Sequence, residues 1–400
     1  MDGFATLEAR GFVQQCTHPD RVRAALASGP ITIYAGFDPT GDSLHVGHLL
    51  PVMAMAWLQR AGHRPIAVVG GGTARVGDPS GKSEMRQMLS DETIASNTKA
   101  LGRQLSHFLD LDGEAGLLVD NAEWLLELKY IPFLRDIGRM FSVNRMLTAE
   151  AYRQRLERGL SFIEFNYQIL QAYDFLELNR RHGCTLQLGG DDQWGNIVAG
   201  TDLIRRCGGS ESDGLTMPLI LTSTGTKMGK TAAGAVWLDP AKLSPFDYFQ
   251  YWLNVDDRDV GRFLKLYTFL SLERIAELEA LTGKEVRQAK RVLARKATTL
   301  AHGAAAAAEA ESAGRAMVVG AASSDLPTHA MEGEARIVDV LRDAGLTKSV
   351  GEARRLVRGG GVRIDNTKVG SEDAVLRAGD LGDGVVLRVG KKRAVRVVAK

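Results

Sequence analysis

Cysteine is scarce: the 400 residues hold three, Cys16, Cys184 and Cys207. An odd number at such wide spacing excludes a disulfide framework and a cysteine-based zinc cluster, so reduced, mostly structural thiols are expected. Long apolar runs are missing too. No uninterrupted stretch approaches the roughly 20 residues of a membrane span. The leading MDGFATLEARGF has no apolar h-region and carries acidic residues foreign to a transit peptide. A soluble, cytoplasmic protein is the expectation. Charge of one sign is also absent. The net charge is only +2, which by itself argues neither for nor against a polyanionic partner. Its distribution says more. From Glu334 to Lys400, 15 Lys and Arg stand against 9 Asp and Glu, which leaves the rest of the chain mildly acidic. A basic module appended to an acidic body is the simplest reading.

What is present is an ordinary globular composition, 44% apolar and 24% charged, at a length that suits two or three domains. There is no internal repeat. Apolar, β-rich runs recur at Ile31–Phe37, Pro65–Gly71, Gly116–Asp120, Thr185–Gly190 and Thr216–Thr222, with helical patterns such as His48–His63 between them. Strands alternating with helices predict an α/β fold with a Rossmann-type parallel sheet and ligands at the carboxyl ends of its strands. A longer helical stretch from Ala122 to Leu178 interrupts the alternation, as an insertion would. From Pro245 to about Ala322 the pattern is helical, and the alanine-rich Ala301–Ala316 favours helix by propensity alone. A linker over Ala321–Thr328 leads to two amphipathic helices, Ala335–Gly345 and Ser349–Arg358, then Gly359–Gly361 and short strands. An all-α domain and a small α+β domain therefore follow the α/β body.

Five segments carry chemistry. FDPTGDSLHVGH (Phe37–His48) runs from the first strand to a helix N-terminus, whose unpaired N–H groups suit a nucleotide phosphate. Gly47 lets a nucleotide approach the backbone. His45 and His48, three apart, share a face from which imidazoles can donate to phosphate oxygens. Asp38 and Thr40 hold the preceding turn positions. Taken alone, HxxH favours capping or core histidines, or half a metal site; the preceding FDPTGDSL turns the balance toward phosphate. GGGTARVGDPSGKS (Gly70–Ser83) fails both nucleotide-loop spacings. Val76 stands where a Walker A loop needs glycine, and Arg75 where a dinucleotide loop needs one. A glycine-rich turn carrying Asp78, Lys82 and Arg86 remains. In SFIEFNYQILQAYDFLEL (Ser161–Leu178), Tyr167, Gln171 and Asp174 make one polar stripe on an otherwise apolar helix. Such groups must be hydrogen-bonded, to the protein or to a ligand. LQLGGDDQWGN (Leu186–Asn196) follows a strand with two glycines and two carboxylates. Last, KMGKT (Lys227–Thr231) sets two lysines in a glycine-loosened turn, which can close on phosphates or be a plain exposed hairpin.

Together, HVGH and KMGKT resemble the HIGH and KMSKS elements of class I aminoacyl-tRNA synthetases. With Tyr34 on the first strand, the stripe at Tyr167, Gln171 and Asp174 looks like the pocket of the bacterial-type tyrosyl-tRNA synthetases. SVGEARRLVRGGGVRIDNTKV resembles the S4 RNA-binding domain, so the resemblance spans essentially the whole chain. It implies that Tyr34 and Asp174 read a phenol hydroxyl, that Asp78, Tyr167 and Gln171 hold an α-ammonium, and that Gln187 and Gln193 line the amino-acid side. It places ATP on Gly36, Asp38, Gly47, Gly190, Asp192 and Lys230. Catalysis falls to Thr40, His45, His48, Lys82, Arg86, Lys227, Lys230 and Thr231.

The implied substrates are L-tyrosine, ATP with Mg²⁺ and tRNA(Tyr), with no metal site on the protein and a homodimer as the assembly. The implied domains are 1–240, catalytic and including a largely helical connective and dimerisation insertion over 122–178; 241–325, helical and anticodon-binding; and 331–400, S4-like. In the last, Arg354, Arg355 and Arg358 are candidates for RNA phosphates. Two rivals are a tryptophan-type enzyme and a catalytically inactive RNA-binding paralogue with a regulatory or splicing role. Asn196, where the tryptophan enzymes carry histidine, counts against the first; intact His45, His48, Lys227 and Lys230 count against the second. The consequences of Pro51, Asp191 and Gly229 do not follow from the sequence.

Overall fold

In the computed structural model the described residues are 2–80, 88–156, 159–223, 225, 228–231, 234–319, 326–365, 367–390 and 393–400, without the side chains of 150, 151, 154, 230, 231 and 316–319. Two compact units emerge, one comprising 1–244 with 251–301, the other 245–250 with 302–400. No helix among the described residues is long and apolar enough to cross a membrane.

The first unit is built on six strands: β1 (Gln15–Cys16), β2 (Thr32–Phe37), β3 (Arg64–Val69), β4 (Leu117–Asp120), β5 (Cys184–Gly190) and β6 (Asp213–Met217). They pair in the order β1-β6-β5-β2-β3-β4. All neighbours are parallel except β1, which runs antiparallel to β6. The central strands are buried on both faces, as helix-covered parallel sheets require. In register, Phe37 lies beside Val69, Val69 beside Asp120, and Gly190 beside Met217. Those strand ends form one edge, and the loops leaving it line the site.

Two helices matter most there. Leu49–Arg60 is apolar almost all round and buried from Leu49 through Leu58 save Pro51. Pro51 falls in its first turn, where a missing N–H costs nothing. Phe162–His182 begins at a reciprocal Ser161–Glu164 capping box and ends at Gly183 in the left-handed region, with three basic residues in its last turn.

Three local expectations need correction, and one strand was not expected. Thr216–Thr222 is not one strand: β6 ends at Met217, because Pro218 has no N–H to continue the ladder, and Leu219 and Leu221 are exposed. The short β1 carries too little pattern to be seen in sequence. Helix Ala335–Gly345 starts later, at Ile337, after the strand Glu334–Arg336. The alanine-rich helix is interrupted at Gly303, whose φ of 87° no helix contains.

In the second unit, strands Thr367–Lys368, Val362–Ile364, Val385–Val389, Arg393–Ala399 and Thr328–Met331 form a sheet in that order. Helices Ile337–Asp343 and Val350–Arg358 cover it, burying Ile337, Leu341, Ala353 and Val357 against Val362, Leu387 and Val397.

Candidate active site

A cavity of about 330 Å³ opens at the carboxyl edge of the sheet. Tyr34, Gly36, Asp38, Thr40, His45, Gly47, His48, Asp78, Tyr167, Gln171, Asp174, Gln187, Gly190, Asp192 and Gln193 all line it. The structure thus brings together residues from four separate segments. Lys82, Arg86 and Lys227 lie outside the described residues, as do the side chains of Lys230 and Thr231. Arg354, Arg355 and Arg358 belong to the second unit, exposed on the Val350–Arg358 helix; Arg358 is held by Glu372 through two 2.9 Å bonds.

At the deep end, β2 delivers Tyr34 with 2% of its surface exposed and its hydroxyl without a partner. Such an orphan is costly unless a ligand satisfies it. Asp174 is buried in the same region. Its Oδ1 accepts from Trp124 Nε1 at 2.7 Å and its Oδ2 from Asn121 Nδ2 at 2.9 Å. Burial nevertheless pushes its carboxyl up to about 8. Neither Asn121 nor Trp124 stands out in the sequence, although both follow the end of β4, where ligand-facing loops are expected.

Asn121 also donates to Thr73 Oγ1 at 3.0 Å, Thr73 donates to Asp38 Oδ1 at 2.7 Å, and Tyr167 donates to Asp38 Oδ2 at 2.8 Å. One buried chain of bonds therefore runs from Asp174 to Tyr167. It spends the Tyr167 proton on Asp38 and leaves the phenol oxygen as an acceptor. Close packing enforces the chain: a methyl group on Gly70 would sit 2.0 Å from Asp38 Oδ1. A second chain links Gln171, Asn196, Gln193 and Asp78. Burial pushes the Asp78 carboxyl up to about 6, against bonds from Ser80 and Gln193 that favour its charge. Acceptors thus gather at mid-cavity, in a place suited to a cation. Gln187 is 2% exposed and its Oε1 has no partner.

The outer end is built by the histidine turn. His45 Nδ1 accepts the Gly47 N–H at 3.0 Å, and His48 Nδ1 accepts the His45 N–H at 3.1 Å. The rings stack with centroids 3.9 Å apart. With Nδ1 accepting on each ring, the neutral tautomer carries its proton on Nε2, which makes that nitrogen a donor. Val46 N donates to Val236 O at 2.9 Å, and Val236 N donates to Gly229 O at 2.8 Å. The KMGKT segment is thereby stitched to the HVGH turn, although 179 residues separate Lys227 from His48. Gly229 has φ 80°, and a Cβ there would sit 3.1 Å from Gly47 N, so glycine suits the position twice over. Asp191 faces away, accepting from Gln15 Nε2 at 2.7 Å and Thr216 Oγ1 at 2.9 Å, and so fastens edge strand β1 beside the loop.

Gly36 differs from Gly70. It lies on the cavity wall, and a Cβ there would meet nothing within 4 Å. On the expectation that this wall seats ATP, Gly36→Ala should keep the melting temperature within a degree or two while raising the KM for nucleotide about tenfold, the order of a misfit methyl. Parallel melts and ATP titrations check this; a large loss of stability with normal nucleotide binding would contradict it.

Among the described residues, no three His, Cys, Asp or Glu side chains are grouped to hold a metal ion.

Comparison with known proteins identifies the family. The family of tRNA synthetases class I (W and Y) matches residues 26–318, and the tyrosine–tRNA ligase SYY-like C-terminal domain matches residues 319–397. The chain is 52% identical to the tyrosine–tRNA ligase of Desulfosudis oleivorans over 98% of each chain. It is 50% identical to that of Clostridium tetani over 99% of this chain and 98% of the other. Among solved structures, a C-terminally truncated mitochondrial tyrosyl-tRNA synthetase of Aspergillus nidulans superposes with TM-score 0.70 at 29% identity, covering 78% of this chain and 93% of that one. Near-complete coverage at about half identity, joined to a buried tyrosine and carboxylate at one end of the cavity and a paired-histidine turn at the other, leaves one conclusion: this chain belongs to the tyrosine–tRNA ligases, in the class I tRNA synthetase family.

Proposed function

We propose that the cavity binds L-tyrosine and ATP, forms tyrosyl-adenylate with release of pyrophosphate, and passes the tyrosyl group to the 3′ end of tRNA(Tyr). The observation that carries this is the orphaned Tyr34 hydroxyl beside the doubly held Asp174 carboxylate. A phenol hydroxyl satisfies both at once, donating to Asp174 and accepting from Tyr34. Phenylalanine would leave that buried pair unsatisfied, a rejection for which tyrosyl-tRNA synthetases are the standing illustration. The α-ammonium sits among Asp78, Tyr167 and Gln171, which orients the substrate carboxylate toward the nucleotide.

The carboxylate attacks the α-phosphorus. No protein nucleophile is needed, so rate comes from positioning and from charge stabilisation. His45 and His48 donate through Nε2 to phosphate oxygens. In the same reading Thr40, Lys82, Arg86, Lys227, Lys230 and Thr231 neutralise the departing pyrophosphate, while Gly36, Asp38, Gly47, Gly190 and Asp192 seat the nucleotide. ATP enters as its Mg²⁺ complex.

Residues 1–240 then form the catalytic domain, 241–325 the helical anticodon-binding domain and 331–400 the RNA-binding domain of a cytoplasmic enzyme. A homodimer is supported by apolar side chains left in solvent between Leu126 and Phe162: Ile131 and Phe162 are each 70% exposed, and Tyr130 and Val143 more than half. A molar mass of about 87 kDa in solution would bear this out, and about 43 kDa would refute it.

Aminoacylation of tRNA(Tyr) tests the whole reading. Arg354→Glu combined with Arg355→Glu should cut kcat/KM for charging at least tenfold at moderate salt, because each reversal turns a phosphate attraction into repulsion. Tyrosine activation should be unchanged. Equal charging by the variant would remove the RNA role from this helix.

A further inference from the structure

Asn196 lies in the first turn of the Trp194–Arg206 helix and is 5% exposed. Its Nδ2 donates to two carbonyl oxygens, Gln171 Oε1 at 3.1 Å and Gln193 Oε1 at 3.0 Å. Gln193 Nε2 in turn donates to Asp78 Oδ2 at 2.9 Å, while Asp78 Oδ1 accepts the Ser80 N–H at 2.9 Å. These bonds have a direction. An ionised Asp78 only accepts, so the Gln193 group facing it must be NH₂. The Gln193 carbonyl then points to Asn196, which must answer with NH₂. The second proton of that same nitrogen takes the Gln171 carbonyl. Both protons are used, and both glutamine amides are fixed end for end.

We infer that Asn196 is a positioning residue for amino-acid recognition, orienting the Gln171 and Gln193 amides so that Gln171 Oε1 and the Asp78 carboxylate face the substrate ammonium. This rests on the reading of the cavity as a tyrosine site and adds a residue that touches no substrate atom. Few side chains can replace it. Two donors on one nitrogen at a fixed angle are what the two carbonyls require. An aspartate of the same shape would set carboxylate oxygens against both. Relief would come from turning the glutamines over, which would aim a carbonyl at Asp78.

The test uses three ligands on the full chain: tyrosine, tyrosinol (ammonium, no carboxylate) and 3-(4-hydroxyphenyl)propionate (carboxylate, no ammonium). Asn196→Ala is expected to weaken tyrosine and tyrosinol about tenfold each, the order of one or two lost hydrogen bonds. Binding of the propionate should stay within twofold, and so should the KM for ATP. Asn196→Asp should be worse than Asn196→Ala for the two amines, the reverse of a space-filling role. If the alanine variant melts too low to assay, Asn196→Ser keeps one donor and should show the same pattern at smaller amplitude. Equal weakening of all three ligands, no change in any, or loss of the propionate alone would each overturn the assignment. A wild-type chain that failed to bind tyrosine would instead overturn the reading of the cavity.

Discussion

Asp174→Asn should weaken tyrosine binding by about 100-fold or more while leaving the fold intact. The carboxylate accepts at both oxygens, from Trp124 and from Asn121. An amide offers one oxygen and one NH₂, so one of those buried donors must face another donor. That leaves an unsatisfied buried group, at about 1–3 kcal/mol, and removes an acceptor from the phenol. Tyrosine titration of the purified variant measures the loss, and near-normal affinity would refute the phenol-reading role.

The same substitution has a pH signature. The Asp174 carboxyl is raised from 3.8 to about 8 in the fold, mainly by burial. The folded chain therefore binds this proton more tightly than the unfolded chain does. The stability it contributes is fully present below about 4 and is lost as pH rises toward 8. The amide of the Asp174→Asn variant cannot titrate, so melts of the ligand-free proteins between pH 5 and 8 should shift in the variant's favour as pH rises. Parallel profiles would contradict the buried-carboxylate account.

His45→Asn is the second large effect, and it separates structure from chemistry. His45 caps the turn by accepting the Gly47 N–H through Nδ1. Asparagine is a strong cap and can accept that N–H through its own oxygen. It reaches no further, so the Nε2 donor is lost. Adenylate formation should slow by about 100-fold, the order of one donor to charge developing in a transition state. Tyrosine affinity and melting temperature should change little. Rapid-quench measurement of the first turnover checks this; loss of tyrosine affinity at normal rate would assign His45 to the wrong end of the cavity.

Much of this site was legible from sequence because strand ends in a parallel sheet all face one way. Tyr34, Asp78, Gln187 and Asp192 each sit on or just beyond a run of β-rich residues, and the polar stripe of the Phe162–His182 helix needs only a 3.6-residue period to be seen. What escaped was whatever depends on partners distant in sequence. Asn121 and Trp124 are ordinary loop and helix residues until the fold sets them 53 and 50 positions from Asp174 in the chain yet within hydrogen-bond distance. Thr73 and Asn196 escaped for the same reason. The consequence of Asp191 beside Asp192 did not follow from the sequence, because its partners Gln15 and Thr216 belong to or adjoin an edge strand too short to carry a pattern. The Thr216–Thr222 run misled because an apolar stretch reads as strand whether or not a proline ends its ladder.

The most direct test of the account is tyrosine-dependent exchange of pyrophosphate into ATP, with phenylalanine and tryptophan as controls. Exchange with tyrosine alone is the predicted result, since it requires the phenol-reading end, the ammonium acceptors and the histidine turn to work on one substrate. No exchange with any of the three, or exchange with phenylalanine as readily as with tyrosine, would contradict it.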